Sequence, residues 1–145
     1  MQTEQNKALY RQFVEEVFNR GNTSAIDELV APDFVEHEEL PPGVPSGREG
    51  VKQLSIMLRS AFPDLKATID DILAEGDKVA ARMTWRGTHK GEFMGIPPTG
   101  KSVSVGVIDV VRFAGDKFVE HWGLMDNASM MQQLGAVPAP GMVEA

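Results

Sequence analysis

The chain has 145 residues, a formal net charge of −7 from 14 basic and 21 acidic side chains, and no cysteine. This excludes a disulfide framework, a thiol nucleophile and a thiolate metal site, and an acidic chain without a basic run is a poor match for nucleic acid or an anionic membrane. With 42% hydrophobic residues it can bury a core unaided, and no apolar run approaches the ~20 residues of a membrane span.

The N-terminus, MQTEQNKALYRQF, has neither a basic n-region nor a continuous apolar stretch, so no signal peptide is predicted and a cytoplasmic location is expected. From Thr3 to Asn19, the residues Leu9, Phe13, Val14, Val17 and Phe18 recur at gaps of three and four, one face of a helix that Arg20-Gly21-Asn22 ends. Thr23 or Ser24 caps a short helix bearing Ile26, Leu29 and Val30, which Pro32 stops. Phe34, Val35 and His37 lead into the loop ELPPGVPSG. Ser46 can cap a third helix, Arg48 to Phe62, with Val51, Leu54, Met57 or Leu58, and Ala61 inward.

The period then changes to two. Leu65, Ala67, Ile69, Asp71 and Leu73 form one face of a strand that turns at Glu75-Gly76-Asp77, and Val79, Ala81, Met83 and Trp85 form a face of its return. After the loop GTHKGEFMGIPPTGK come a long strand, Ser102 to Phe113, a turn at Gly115, and a strand from Phe118 to about Met125. Asp126 or Asn127 caps a last helical segment, MMQQLG. Helices first and an antiparallel meander afterwards predict one α+β domain over residues 1–135, with a flexible Pro/Gly-rich tail at 136–145. A strongly curved, mostly antiparallel sheet wrapped over N-terminal helices makes a cone-shaped barrel whose open mouth suits a small ligand.

Asp109 is the sharpest anomaly, one carboxylate among Val103, Val105, Val107, Val111 and Phe113 on a single strand face. A buried carboxylate must be paired, hydrogen-bonded or raised in pKa. It is either an acid–base group or ligand contact, or a structural partner of Arg82 or Arg86. Antiparallel pairing across Gly115 sets His121 nearly opposite Asp109, giving either an acid–base dyad or a satisfied structural pair. On the His121 face lie Gly123 and Met125, and on another strand face Trp85 precedes His89. The loop residues Phe93, Met94 and Ile96 serve either as a lid or as packing beneath the barrel. His37 stands before Glu38 and Glu39; the run Glu36 to Glu39 reads as solvated, and Trp122 as core. Three histidines far apart do not make a metal site. Nucleophile-elbow, P-loop and dinucleotide motifs are absent.

The segments PDFVEH (32–37), PSGREGVKQL (45–54), FPDL (62–65), GTHKGEFMGIPPTGK (87–101) and EHWGLMDNASMMQQLG (120–135) together resemble the SnoaL-like polyketide cyclases of the nuclear transport factor 2-like superfamily. The resemblance implies the cone, a homodimer or higher homo-oligomer, and an apolar or aromatic small-molecule substrate. It also implies ring closure in a polyketide ester by intramolecular aldol condensation, without metal or organic cofactor. The residues read from the strand pattern, not from the resemblance, make Asp109 and His121 the candidate catalytic pair, with His37, His89, Trp85, Phe93, Met94, Ile96, Gly123 and Met125 around the substrate. The chain departs from the cyclases at Gly123, where they carry their catalytic aspartate, and at Asp109, where they carry histidine. The alternatives are an epoxide hydrolase or isomerase of the same superfamily, in which Asp109 activates water or moves a proton, and a binding domain without catalysis.

Overall fold

Five strands form one curled sheet in the order β1-β5-β4-β3-β2. They are β1 (Val30–Glu36), β2 (Lys66–Glu75), β3 (Lys78–Thr88), β4 (Ser102–Ala114) and β5 (Lys117–Met125). The helices are α1 (Gln2–Phe13), continued by a π-helical segment (Val14–Asn19), α2 (Ser24–Leu29), α3 (Arg48–Ala61) and α4 (Asn127–Leu134). The computed structural model describes residues 2–135, and the tail expected to be flexible lies outside them. Among the described residues no helix is long and apolar enough to cross a membrane.

The alternation in β3 and β4 holds as written. Val79, Ala81, Met83 and Trp85, and every second residue from Val103 to Phe113, are buried against the helices. Both hairpins turn through a glycine in the left-handed region, Gly76 at φ +58° and Gly115 at φ +60°, where a side chain would be strained. Asp126 accepts a hydrogen bond from the Ser129 amide at 3.0 Å and caps α4.

Two bulges change which residues face inward. Between Ile69 and Asp71 the β2–β3 register slips by one. As a result Ile72 and Ala74 pack on the core, while Leu73, expected on that face, is 65% exposed. The second bulge lies in β5. Phe113 pairs with Phe118 but Arg112 with Glu120, leaving Val119 over. Phe118 and His121, three residues apart, can therefore both face inward. Trp122 turns outward, against the expectation that it is core; it stacks on His37 and lies under the Lys78 ammonium.

The N-terminal half differs in two further ways. Val30 begins a strand instead of ending a helix, and β1 runs parallel to β5 with Glu36 beside His121. Pro32 is tolerated because β1 is an edge strand. The first helix widens after Phe13, with Arg20 and Asn22 amides bonded to the carbonyls of Glu15 and Glu16. That widening puts Phe13 and Phe18, five apart, on one side, with ring centroids 5.6 Å apart.

Candidate active site

Between the helices and the curled sheet lies a cavity of about 390 Å³. Most of its wall is apolar, formed by Phe13, Phe18, Phe34, Leu54, Val107 and Phe118 among others. One end is polar, where Tyr10, Glu36, Glu38, Asp109 and His121 meet.

Asp109 is buried and held on both oxygens. His121 Nε2 lies 2.8 Å from Oδ1, and the Tyr10 hydroxyl donates to Oδ2 at 2.8 Å. Neither Arg82 nor Arg86 is its partner; Arg82 reaches out to Asp70 at 3.8 Å. The other imidazole nitrogen, Nδ1, lies 2.6 Å from Glu36 Oε1, an approach set by the parallel pairing of Glu36 with His121. A ring with a carboxylate at each nitrogen donates from both, so it is an imidazolium. Burial opposes that charge, but the hydrogen bonds and charges of Asp109 and Glu36 prevail and raise its pKa to about 10. Burial, then the Asp109 charge, pushes the Tyr10 hydroxyl well above its ordinary value, so it remains a donor.

Glu38 follows from the end of β1, its amide bonded to Glu36 Oε1 at 3.0 Å. Its side chain enters the polar end of the cavity. Burial raises its pKa, with the Asp109 and Glu36 charges adding to the effect and His121 opposing it. Glu36, Glu38 and His121 can each aim one ligand atom within 4.8 Å of the others. An imidazolium bonded through both nitrogens has no lone pair for a cation, so this donor set fits proton chemistry better than metal binding.

The structure brings Trp85, Phe93, Met94 and Met125 to the cavity with Asp109 and His121. Three other residues expected around the substrate are elsewhere, and a fourth, Gly123, lies beside the acid cluster without a side chain. His37 is on the outer face, stacked on Trp122 at 4.7 Å and bonded to Glu120 at 2.8 Å. His89 is fully buried away from the cavity; its Nδ1 accepts from the Thr99 amide at 3.2 Å, and its ring packs on Phe62. It is held there because its own backbone bonds to Lys101 and Gly100 close the loop as one unit. Ile96 pairs with Phe93 across a tight turn and packs on the core. Gly123 has no side chain to contribute, although it stands directly across the ladder from Asp109.

Tyr10, Glu36 and Glu38 were not singled out in the sequence. The acids had a signal: Phe34, Glu36 and Glu38 alternate at the strand period, and the buried Phe34 fixes which way all three point. Tyr10 was hidden by the choice of helical face, since the buried stripe of α1 runs through Asn6, Tyr10 and Phe13 instead of Leu9.

Comparison with known proteins identifies the family and the fold. A family model described as SnoaL-like polyketide cyclase matches residues 8–134. The chain is 29% identical over 120 residues to a nogalonic acid methyl ester cyclase of Streptomyces nogalater, covering 81% of this chain and 89% of that one. It is 30% identical over 135 residues to the aklanonic acid methyl ester cyclase DauD of Streptomyces sp. strain C5, covering 88% and 80%. Among solved structures, TsrD from Streptomyces laurentii superposes with a TM-score of 0.84 at 34% identity, covering 92% of this chain and 97% of that one.

Proposed function

The chain belongs to the SnoaL-like polyketide cyclases, and from that premise we propose that it closes a ring in a polyketide methyl ester by intramolecular aldol condensation. The observation that carries this reading is Asp109, a carboxylate gripped by His121 and Tyr10 at the wall of an otherwise apolar cavity. Those bonds fix its direction, and the carboxylate forms part of the cavity wall. Asp109 takes the proton from a carbon flanked by carbonyls, and the electron pair left behind forms an enolate. The enolate carbon then attacks a second carbonyl of the same chain. Holding the two carbons close supplies much of the rate, because the reaction is already unimolecular once the chain is folded in the cavity. His121 orients Asp109 and balances its charge, and Glu36 holds the imidazolium in place.

The substrate class also rests on charge. Among the described residues no arginine or lysine lines the cavity, while Glu36, Glu38, Glu39 and Asp109 do. An esterified polyketide enters such a site without like-charge repulsion. The test is direct: the purified protein is incubated with nogalonic or aklanonic acid methyl ester, and cyclised product is followed by chromatography and mass. Turnover of either ester supports the reading, and no turnover of both defeats it.

Self-association is part of the same proposal. Ile108 and Leu124, paired across the outer face of the sheet, are 54% and 78% exposed, and Leu73 lies on that face too. Covering this patch by a second copy accounts for apolar side chains in such a place. Sedimentation of a monomer at micromolar concentration would refute it.

A further inference from the structure

An aldol closure needs two proton transfers, one from carbon at the start and one to the new alkoxide oxygen at the end. Asp109 sits at one point of the cavity wall and cannot face both reacting atoms equally well. Of the neighbouring acids, Glu36 is committed to His121. Glu38 is not. Among the described residues its carboxyl oxygens have no hydrogen-bond partner, although the side chain is in the cavity wall.

Its place is made by Gly123. A Cβ at that residue would stand within 2.8 Å of three atoms at once: Glu38 Oε1, His121 Cε1 and Asp109 Oδ1. Such contacts would make these side-chain ends move, so the carboxyl group of Glu38 holds its present place because residue 123 has no Cβ. The backbone of Gly123 is not left-handed; its lack of a side chain, and not its conformation, is what the site uses. One carboxylate on β4 and one from the end of β1 thereby reach the same small region from different directions.

Taking the ring closure above as given, we infer that Glu38 is a second catalytic carboxyl group, the acid that protonates the new alkoxide, and that Gly123 is the opening that admits it. The step balances. The C–H bond breaks as Asp109 gains its proton, the C–C bond forms as the carbonyl π pair moves to oxygen, and that oxygen takes the proton of Glu38. Return of the proton from Asp109 to Glu38 resets the pair, with no net gain or loss of protons. The surroundings divide the roles: Asp109 is gripped on its two oxygens by His121 and Tyr10, while burial and two neighbouring carboxylates favour the neutral form of Glu38.

The experiment compares kcat and KM for the native protein, Glu38→Gln and Glu38→Asp on aklanonic acid methyl ester across pH. Glutamine keeps the shape but has no proton to give. Its kcat should fall about 10²–10³-fold with KM little changed. It should also lose the descending limb that loss of the Glu38 proton gives the native pH profile. Glu38→Asp should keep a descending limb, moved to lower pH because aspartate is the stronger acid, and regain part of the rate. A Glu38→Gln enzyme within about threefold of native, or with the same limb, overturns the assignment. Should the glutamine variant not fold, the aspartate variant decides, since an unshifted limb there also overturns it. Native protein that is inactive on both esters defeats the ring-closure reading itself, a result different from an active native enzyme that ignores the loss of Glu38.

Discussion

His121 and Asp109 touch at 2.8 Å without being opposite one another on their strands. The ladder sets Asp109 across from Gly123 and His121 across from Val111, so the contact is diagonal. Direct opposition would have buried two polar groups side by side on the sheet. The diagonal leaves a gap over Gly123 that other groups can share, and the bulge at Val119 creates that offset.

Replacing Asp109 with Asn keeps size and most hydrogen bonding but removes the base. Ring closure should fall about 10²–10⁴-fold while the fold persists. His121→Gln should also slow the reaction, and the double variant should be little worse than the weaker single one, because the two act as a unit. Single-turnover rates of the three variants check this. Additive losses would separate the two residues.

The imidazolium predicts a stability change with pH. His121 ionises near 10 in the folded chain against an ordinary 6.5, so the folded state holds a proton that the unfolded chain releases in this window. Its stabilisation is complete below about 6.5 and is lost as pH rises towards 10. Unfolding free energy should therefore drop by up to roughly 1.4 kcal/mol per pH unit across the window. Urea denaturation at successive pH values measures it. His121→Gln should flatten the slope.

Tyr10→Phe removes one hydroxyl and keeps the ring stacked near Phe118, 6.2 Å away. The loss of a hydrogen bond to a buried carboxylate should cost about 1.5–3 kcal/mol. Activity should fall as well, because Asp109 is then free to turn about its remaining bond to His121. A variant as stable as native by calorimetry would mean that the hydroxyl does not donate to Asp109.

Charge selection should be visible in substrate pairs. The free acid of a polyketide brings a carboxylate into a cavity whose wall already carries several. Its kcat/KM should be lower than that of the methyl ester by at least about tenfold, the effect of little more than 1.4 kcal/mol of repulsion. Raising the salt concentration should narrow the difference only slightly, since the site is mostly enclosed. Equal turnover of acid and ester would remove the electrostatic argument.

Much of this site was legible before any coordinates. The alternation of β4 exposes Asp109 as a carboxylate on a buried face, and the short β4–β5 turn brings His121 within reach. The bulges were not legible, because a one-residue slip leaves composition and spacing unchanged while reversing every later side chain; Leu73 and Trp122 are its casualties. Strand β1 was obscured by Pro32, which reads as a stop in the sequence and is harmless at a sheet edge. With that strand unseen, Glu36 and Glu38 looked like part of a solvated acidic run. His37 and His89 show the converse. A histidine near a pocket in sequence was drawn away by a better partner, an outward-facing, half-buried tryptophan in one case and a loop threonine in the other.

Parallel pairing of the first strand with the last means that the Asp109–His121 pair of one hairpin is completed by residues from the far end of the chain. Glu36 and His121 are 85 residues apart, and Tyr10 and Asp109 are 99 apart. Contacts of such range form late, after the intervening loops have been closed at an entropic cost. A nascent chain that has not yet delivered β5 can hold a hairpin of β2 and β3, yet it has no imidazolium to offset Glu36 and Asp109. Catalytic competence should therefore emerge as a final, cooperative event during refolding, lagging the hairpins and coinciding with the docking of the edge strand.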